Sequence, residues 1–356
     1  MDAHPPYVWE PDFLGDGYES LVMPLGEDDE GPVVATLVRH LPAATPRRGL
    51  RQLPRELEDV DVLYVHGWSD YFFQTPLAEF FTKRGARFFA LDLRKYGRSL
   101  LAGQTPGFIT DLATYDDDIE AALTEIRRSD PTLEGRRRLF LLGHSTGGLI
   151  FSLWAARHPG AADGLILNSP WLEFQLSSVV RAAITPLVGL QAAIRPQDTA
   201  PNVDFGFYAR AVRECADPSQ PMTINEEWRP DHTMPVRSGW LNAILAGHAQ
   251  VQGGLNIRVP ICVLLSARSA VPTRWSDALT RADSVLTVDE IARAALKLGS
   301  SVNIERIDGA LHDVFLSHHD ARMDAYRRID RWFAGRSDRR WLRSEERSST
   351  LFGVGR

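Results

Sequence analysis

The stretch RLFLLGHSTGGLIFSLWAARHP (138–159) sets a serine where a nucleophile belongs. An apolar strand-like run is followed by Gly143-His144-Ser145-Thr146-Gly147 and then by a helical pattern, which is G-x-S-x-G in a strand–turn–helix context. Side chains at 143 and 147 would crowd the neighbouring strand and helix, which is why glycine fits both positions. The turn lifts the Ser145 hydroxyl to a helix N-terminus, where the amide of Thr146 and the helix dipole can stabilise an oxyanion. His144 reads as the variable residue of the elbow, facing away from the serine.

A serine hydroxyl needs a general base, and the base needs an orienting carboxylate. Ten histidines are present. His312, in IDGALHDVFLS, follows the last strand-like run, at the sheet edge where catalytic loops gather. His232 and His248 fall in a separate insertion, and His318 and His319 on the next helix. The acid should lie between Ser145 and His312 in chain order. Asp283 is the choice, because it opens DSVLTVDEIARAALKLG, a turn and helix leading into the strand before His312. Asp277 remains the alternative. Asp289 reads as a helix start, and Asp313 as facing away from its neighbour. A second oxyanion donor is expected from the amide of Trp68, which Gly67 brings close at the end of DVLYVHGWSD (61–70). A structural role for the same residues would make Asp283 a cap and His66 a buried packing residue.

Positioning these groups requires a sheet. Residues 20–25 and 33–40 flank GEDDEGP, a hairpin signal. Apolar runs then recur at 61–67, 87–93, 138–144, 164–170, 261–266 and 302–307, mostly without alternation, as in strands buried on both faces. Between them, 75–85, 115–129 and 146–159 carry apolar residues three and four apart, as on a helix face. Strand and helix in alternation imply a mostly parallel sheet covered by helices. The alternation breaks at 171–259, with helices expected at 177–194, split by Pro186, and at 238–252. The expected organisation is a core at 1–170 and 260–335, a helical cap at 171–259 and a polar, disordered tail at 336–356.

Bulk properties narrow the function. The 356 residues suffice for one large domain with an insertion. A net charge of −6 offers no basic face for nucleic acid. No run approaches the roughly 20 apolar residues of a membrane span. Two cysteines and the lack of a signal-peptide pattern suit a cytoplasmic protein. The aromatic residues of the insertion suggest an apolar acyl or alcohol group in the substrate. Contact of the 177–194 face with a membrane gains little support from its few charges. Oligomeric state is not legible.

With these residues placed, the chain resembles the α/β-hydrolase superfamily. Within it, the similarity is to the monoacylglycerol lipase and lysophospholipase-like group that shares its fold with S33-type serine aminopeptidases. The resemblance spans about residues 20–335 and rests on HGWSD (66–70), DLRKYGRS (92–99), GHSTGG (143–148), SP (169–170) and GALHD (309–313). It implies a mostly parallel eight-stranded sheet, a helical cap inserted before the seventh strand, and no cofactor or metal. It also implies a nucleophile at Ser145, oxyanion amides at Trp68 and Thr146, and the base at His312. One departure matters: where similar enzymes place the acid, this chain has Ala270. An insertion at about 271–281, with the acid role kept by Asp283, reconciles the two. The expected activity is hydrolysis of a carboxylic ester. An S33-type aminopeptidase, a noncatalytic ligand-binding homologue and an acyltransferase are the competing readings.

Overall fold

The computed structural model describes residues 8–42, 56–129, 137–174, 188–200, 204–270 and 273–336. In chain order the elements are β1 (Glu10–Pro11), β2 (Tyr18–Asp28), β3 (Gly31–His40), β4 (Val60–Val65), α1 (Thr75–Lys83), β5 (Arg87–Asp92), α2 (Tyr115–Arg128), β6 (Arg138–His144), α3 (Thr146–Arg157), β7 (Gly164–Asn168), α4 (Phe207–Glu214), α5 (Ser238–Gly253), β8 (Ile261–Ser266), α6 (Val288–Ala295), β9 (Val302–Ile307) and α7 (His319–Ala334). Every apolar run singled out in the sequence is a strand, and 20–25 and 33–40 form the β2–β3 hairpin. Residues 188–194 are helical. The rest of the helix expected at 177–194, including the Pro186 break, and the tail from 337 lie outside the described residues.

The strands form one sheet in the order β1-β2-β3-β5-β4-β6-β7-β8-β9. Its first three pairings are antiparallel and the rest parallel. The expected eight strands are joined by a ninth, the two-residue β1, too short to leave a periodic signal. Discounting β1, the long excursion between β7 and β8 precedes the seventh strand, where the insertion was expected.

The continuous apolar runs follow from burial on two sides. Leu63, Val65, Leu141, Leu165, Leu167 and Val263 face one core, packed with residues of α2, α3, α5 and α6. Their neighbours Val62, Tyr64, Phe140, Leu142, Ile166 and Cys262 face a second core, packed with α1 and α7. Because side chains alternate along a strand, neither face can be polar.

Between β5 and β6, the strand β4 pairs with both. The chain leaves its C-terminal end towards one side and later returns on the other, and ligand crevices form at such reversals. The loops there are fixed by Asp92, which is fully buried. Asp92 accepts the Phe72 amide at 2.9 Å, the Arg98 amide at 3.1 Å and Arg98 Nη1 at 2.7 Å. Arg98 in turn holds Asp12 at 2.7 Å. The loop after β4 and the loop after β5 therefore share one carboxylate.

Removing Asp92 leaves the Phe72 and Arg98 amides without their acceptor and strips one of the two carboxylates from Arg98, which keeps Asp12; breaking a buried pair costs about 3–5 kcal/mol. Asp92→Ala is expected to lower the free energy of unfolding by about that amount, measured by chemical denaturation. Lys83→Ala, which deletes an exposed pair with Glu79, should change it by less than about 1 kcal/mol.

Candidate active site

At the end of β6 the chain turns into α3 through Ser145, whose φ of 52° and ψ of −114° place it in a region that L-residues rarely adopt. Such a conformation costs about 1–3 kcal/mol and persists only where its surroundings impose it. Here the surroundings are backbone. A Cβ on Gly143 would lie 2.5 Å from the Gly147 carbonyl oxygen. One on Gly147 would lie 2.5 Å from the carbonyl oxygens of both Val65 and His66. Helix α3 thus sits directly against the end of β4. The Ser145 amide donates to the Asn168 carbonyl at 3.0 Å, and its own carbonyl accepts from Gly148 and Trp171 at 3.0 and 2.9 Å.

The β4 loop closes the other side. A Cβ at Gly67 would come 3.1 Å from Ser145 Cβ, so the peptide leading to Trp68 lies against the serine. His66 is buried and structural: its Nε2 accepts the Leu93 amide at 3.1 Å while Nδ1 lies 2.8 Å from the Gly67 carbonyl. Those partners require Nδ1 to carry the proton. Burial pushes the His66 pKa down, consistent with a neutral ring.

His312 follows β9 and is buried, with Nδ1 3.0 Å from Asp283 Oδ2. The other oxygen, Oδ1, accepts the amides of Val285 and Leu286 at 2.8 and 2.7 Å. Asp283 arrives beside Ala270, the position where the sequence resemblance would have placed the acid. Ser269 and Asp283 form a parallel bridge. The Ala270 amide donates to the Asp283 carbonyl at 2.8 Å, and the Asp283 amide to the Arg268 carbonyl at 2.9 Å. The chain therefore makes an excursion after β8, with a 3-10 turn at Asp277–Arg281, and returns beside its own starting point. Asp277 is exposed on that turn, and Asp289 is paired with Arg306 at 2.5 Å on the surface.

Ser145 and His312 line one cavity of about 350 Å³, together with Gly67, Trp68 and His144. From the segment between β7 and β8 come Trp171, Phe207, Tyr208, Arg229 and Trp240. His144, expected to face away from the serine, lies with its ring 5.0 Å from the His312 ring and Nδ1 3.2 Å from the Asn168 carbonyl. Burial lowers its pKa. His248 is buried against the Trp171 carbonyl at 2.8 Å, and His232 is exposed. Among the described residues, no group of three or more His, Cys, Asp or Glu is arranged to hold a metal ion.

Three features were not foreseen. Asn168, at the end of β7, donates to Asp313 Oδ1 at 2.7 Å and accepts the Val314 amide at 3.1 Å, tying the serine turn to the histidine loop. Asp313 does face away from His312, held also by Gln74 at 3.1 Å. Tyr208 of α4 packs its ring edge-on against His312 at 5.7 Å and accepts the Asp313 amide at 3.3 Å. Finally, Asp70 of the HGWSD segment pairs with Arg229 at 2.9 Å inside the cavity. Burial raises the Asp70 pKa, and Arg229 opposes that rise. HGWSD was conspicuous in the sequence, yet nothing in it named the partner of Asp70.

The family described as serine aminopeptidase, S33, matches the chain over residues 59–318. A monoacylglycerol lipase of Mycolicibacterium smegmatis is 24% identical over 258 residues, which cover 71% of this chain and 81% of the lipase. The AB hydrolase superfamily protein YisY of Bacillus subtilis is 27% identical over 203 residues, 55% of this chain and 65% of YisY's own length. The fold is similar to that of a soluble variant of monoglyceride lipase from Saccharomyces cerevisiae, solved in complex with a substrate analogue. That likeness has a TM-score of 0.58 at 15% identity, over 88% of this chain and 95% of that one. The α/β-hydrolase fold inferred from the motifs is the fold found.

Gly147→Ala is expected to force the β4 end and α3 apart. It should lower stability by about 1–3 kcal/mol, the usual cost of overpacking, and reduce turnover of any Ser145-dependent substrate more than tenfold (about 1.4 kcal/mol). Thermal unfolding and steady-state rates on one preparation measure both.

Proposed function

The chain belongs to the serine aminopeptidase, S33 family of α/β-hydrolases, and on that premise we propose that it hydrolyses carboxylic esters through an acyl-enzyme on Ser145. The observation that carries this reading is the buried His312–Asp283 hydrogen bond of 3.0 Å at the wall of the cavity that Ser145 also lines. With Nδ1–H donated to Asp283, the Nε2 of His312 is left as an acceptor. It takes the Ser145 proton as Oγ attacks the acyl carbon, and returns that proton to the departing alcohol as the C–O bond breaks. Water then attacks the acyl-enzyme, giving its proton to Nε2; the C–Oγ bond breaks, Nε2 returns the proton to Oγ, and the acid is released. Asp283 orients the imidazole and stabilises its charged form. The amides of Trp68 and Thr146 are the proposed oxyanion donors, the second at the N-terminus of α3. Residues 171–259 are proposed to act as a cap over the site.

Two considerations favour an ester over a peptide substrate. An aminopeptidase needs a free carboxylate for the substrate amine, and the cavity is lined by Asp70, Asp204 and Asp231. Asp70 is paired with Arg229 and Asp231 with Arg213, while Asp204 accepts the Gly206 and Thr233 amides on its two oxygens at 2.8 and 2.7 Å. The other acids considered for that role do not line the cavity: Glu214 pairs with Arg210 at 2.8 Å, Glu226 and Glu227 are exposed, and Glu173 engages Gln252. The remaining wall is rich in aromatic residues, which suits an apolar acyl or alcohol group. The M. smegmatis relative, a monoacylglycerol lipase by name, points the same way.

Hydrolysis of p-nitrophenyl esters beside aminoacyl anilides tests the reading. Ester turnover should exceed anilide turnover; the reverse order would overturn the assignment. Ser145→Ala should abolish ester turnover. Asp283→Asn should reduce kcat by about 10⁴, the loss typical of a misoriented catalytic histidine, whereas Asp277→Asn should leave it within about twofold, a change of roughly 0.4 kcal/mol in the barrier.

A further inference from the structure

Arg229 is a cation built into the wall of the Ser145 cavity, and no step of the hydrolysis uses it. Its side chain keeps 11% of its exposure and lies beside the faces of Phe73 and Tyr208, at 5.2 and 5.9 Å. Nε donates to Asp70 Oδ1 at 2.9 Å. Nη1 and Nη2 make no hydrogen bond to any described residue, and Arg229 lines the cavity. A guanidinium offers two edges, and here Asp70 fixes one while the other stays open.

A tie between the cap segment and the β4 loop does not require this pair. Apolar residues of similar volume hold two surfaces together about as well as a buried ion pair. An arginine whose plane is already fixed through Nε, with two further N–H-bearing nitrogens and a place in the cavity wall, is shaped for bidentate recognition of a carboxylate. Asp70 and Asp313 both bear electrostatically on Arg229. Their charge opposes a dianion such as a phosphate monoester more than a monoanion. The cavity of about 350 Å³ is near the small end of the range of about 300–1,000 Å³ for small-molecule pockets, so the ligand is compact.

We propose that Arg229 sets the specificity of the Ser145 site by binding a carboxylate carried on the acyl or alcohol portion of a compact ester. The proposal rests on the ester-hydrolase reading above and adds the chemical class of the substrate.

The test uses the full chain and three p-nitrophenyl esters of equal acyl length, ending in a carboxylate, a primary amide or an ammonium group. For the wild type, kcat/KM should be at least about tenfold higher for the carboxylate than for the amide, and lowest for the ammonium ester. In the double variant Arg229→Gln, Asp70→Asn, which leaves no lone buried charge, the carboxylate-to-amide ratio should fall to about one. Arg229→Lys, which keeps the charge without the fork, should lie between. The ratio compares substrates on one preparation, so general loosening of the cap does not move it. A wild type that favours the amide or ammonium ester, or a carboxylate preference that survives the double variant, would overturn the proposal alone. If none of the three is cleaved, and a fluorophosphonate leaves Ser145 unlabelled, the ester-hydrolase reading falls and the proposal with it.

Discussion

The backbone at Ser145 cannot relax. Its φ of 52° belongs to a region where residues with a side chain are strained, and the chain holds it there because α3 starts within contact of the end of β4. That contact requires glycine at 143 and 147, a strand on either side of β4, and two cores to clamp the sheet. The consequence is positional: the one residue forced out of the regular strand-to-helix path is the one whose hydroxyl the proposed mechanism uses. Strain of about 1–3 kcal/mol is small beside the burial of the strands that impose it, since each fully buried Leu, Ile or Val contributes roughly 1.5–3 kcal/mol.

The histidine and its carboxylate are held in a different way. His312 and Asp283 lie on loops after different strands, and neither loop is regular. They are fixed largely by hydrogen bonds to main chain: two amides on Asp283 Oδ1, the bridge between 269 and 283, and the Val314 amide on Asn168, whose side chain also donates to the Asp313 carboxylate. The excursion after β8 leaves Asp283 within 3.0 Å of the histidine, because the chain pairs with itself on the way back.

Much of this was legible in the residues. Apolar runs without alternation announced strands buried on both faces, and the two cores confirm the physical reason. The serine turn was legible because glycine at 143 and 147 has a steric cause that a sequence pattern preserves. Chain order pointed to His312, and the segment that follows Asp283 pointed to that residue despite Ala270; the structure brings the two side chains to 3.0 Å. What could not be seen are contacts across long separations. Asn168 and Asp313 stand 145 residues apart, and Asp70 and Arg229 stand 159 apart; no local periodicity links such partners. The place of the His144 ring beside His312 was not legible for a related reason, since the two stand far apart in the chain. β1 escaped notice because two residues make no pattern.

The most direct measurement is the mass of the protein after exposure to a fluorophosphonate, with the adduct mapped to a peptide. The expected result is a single adduct on the peptide containing Ser145, forming at least a hundredfold more slowly in His312→Gln (about 2.7 kcal/mol in the barrier). An adduct on another residue, or an unmodified wild-type protein, would contradict the assignment of Ser145 as a nucleophile activated by His312.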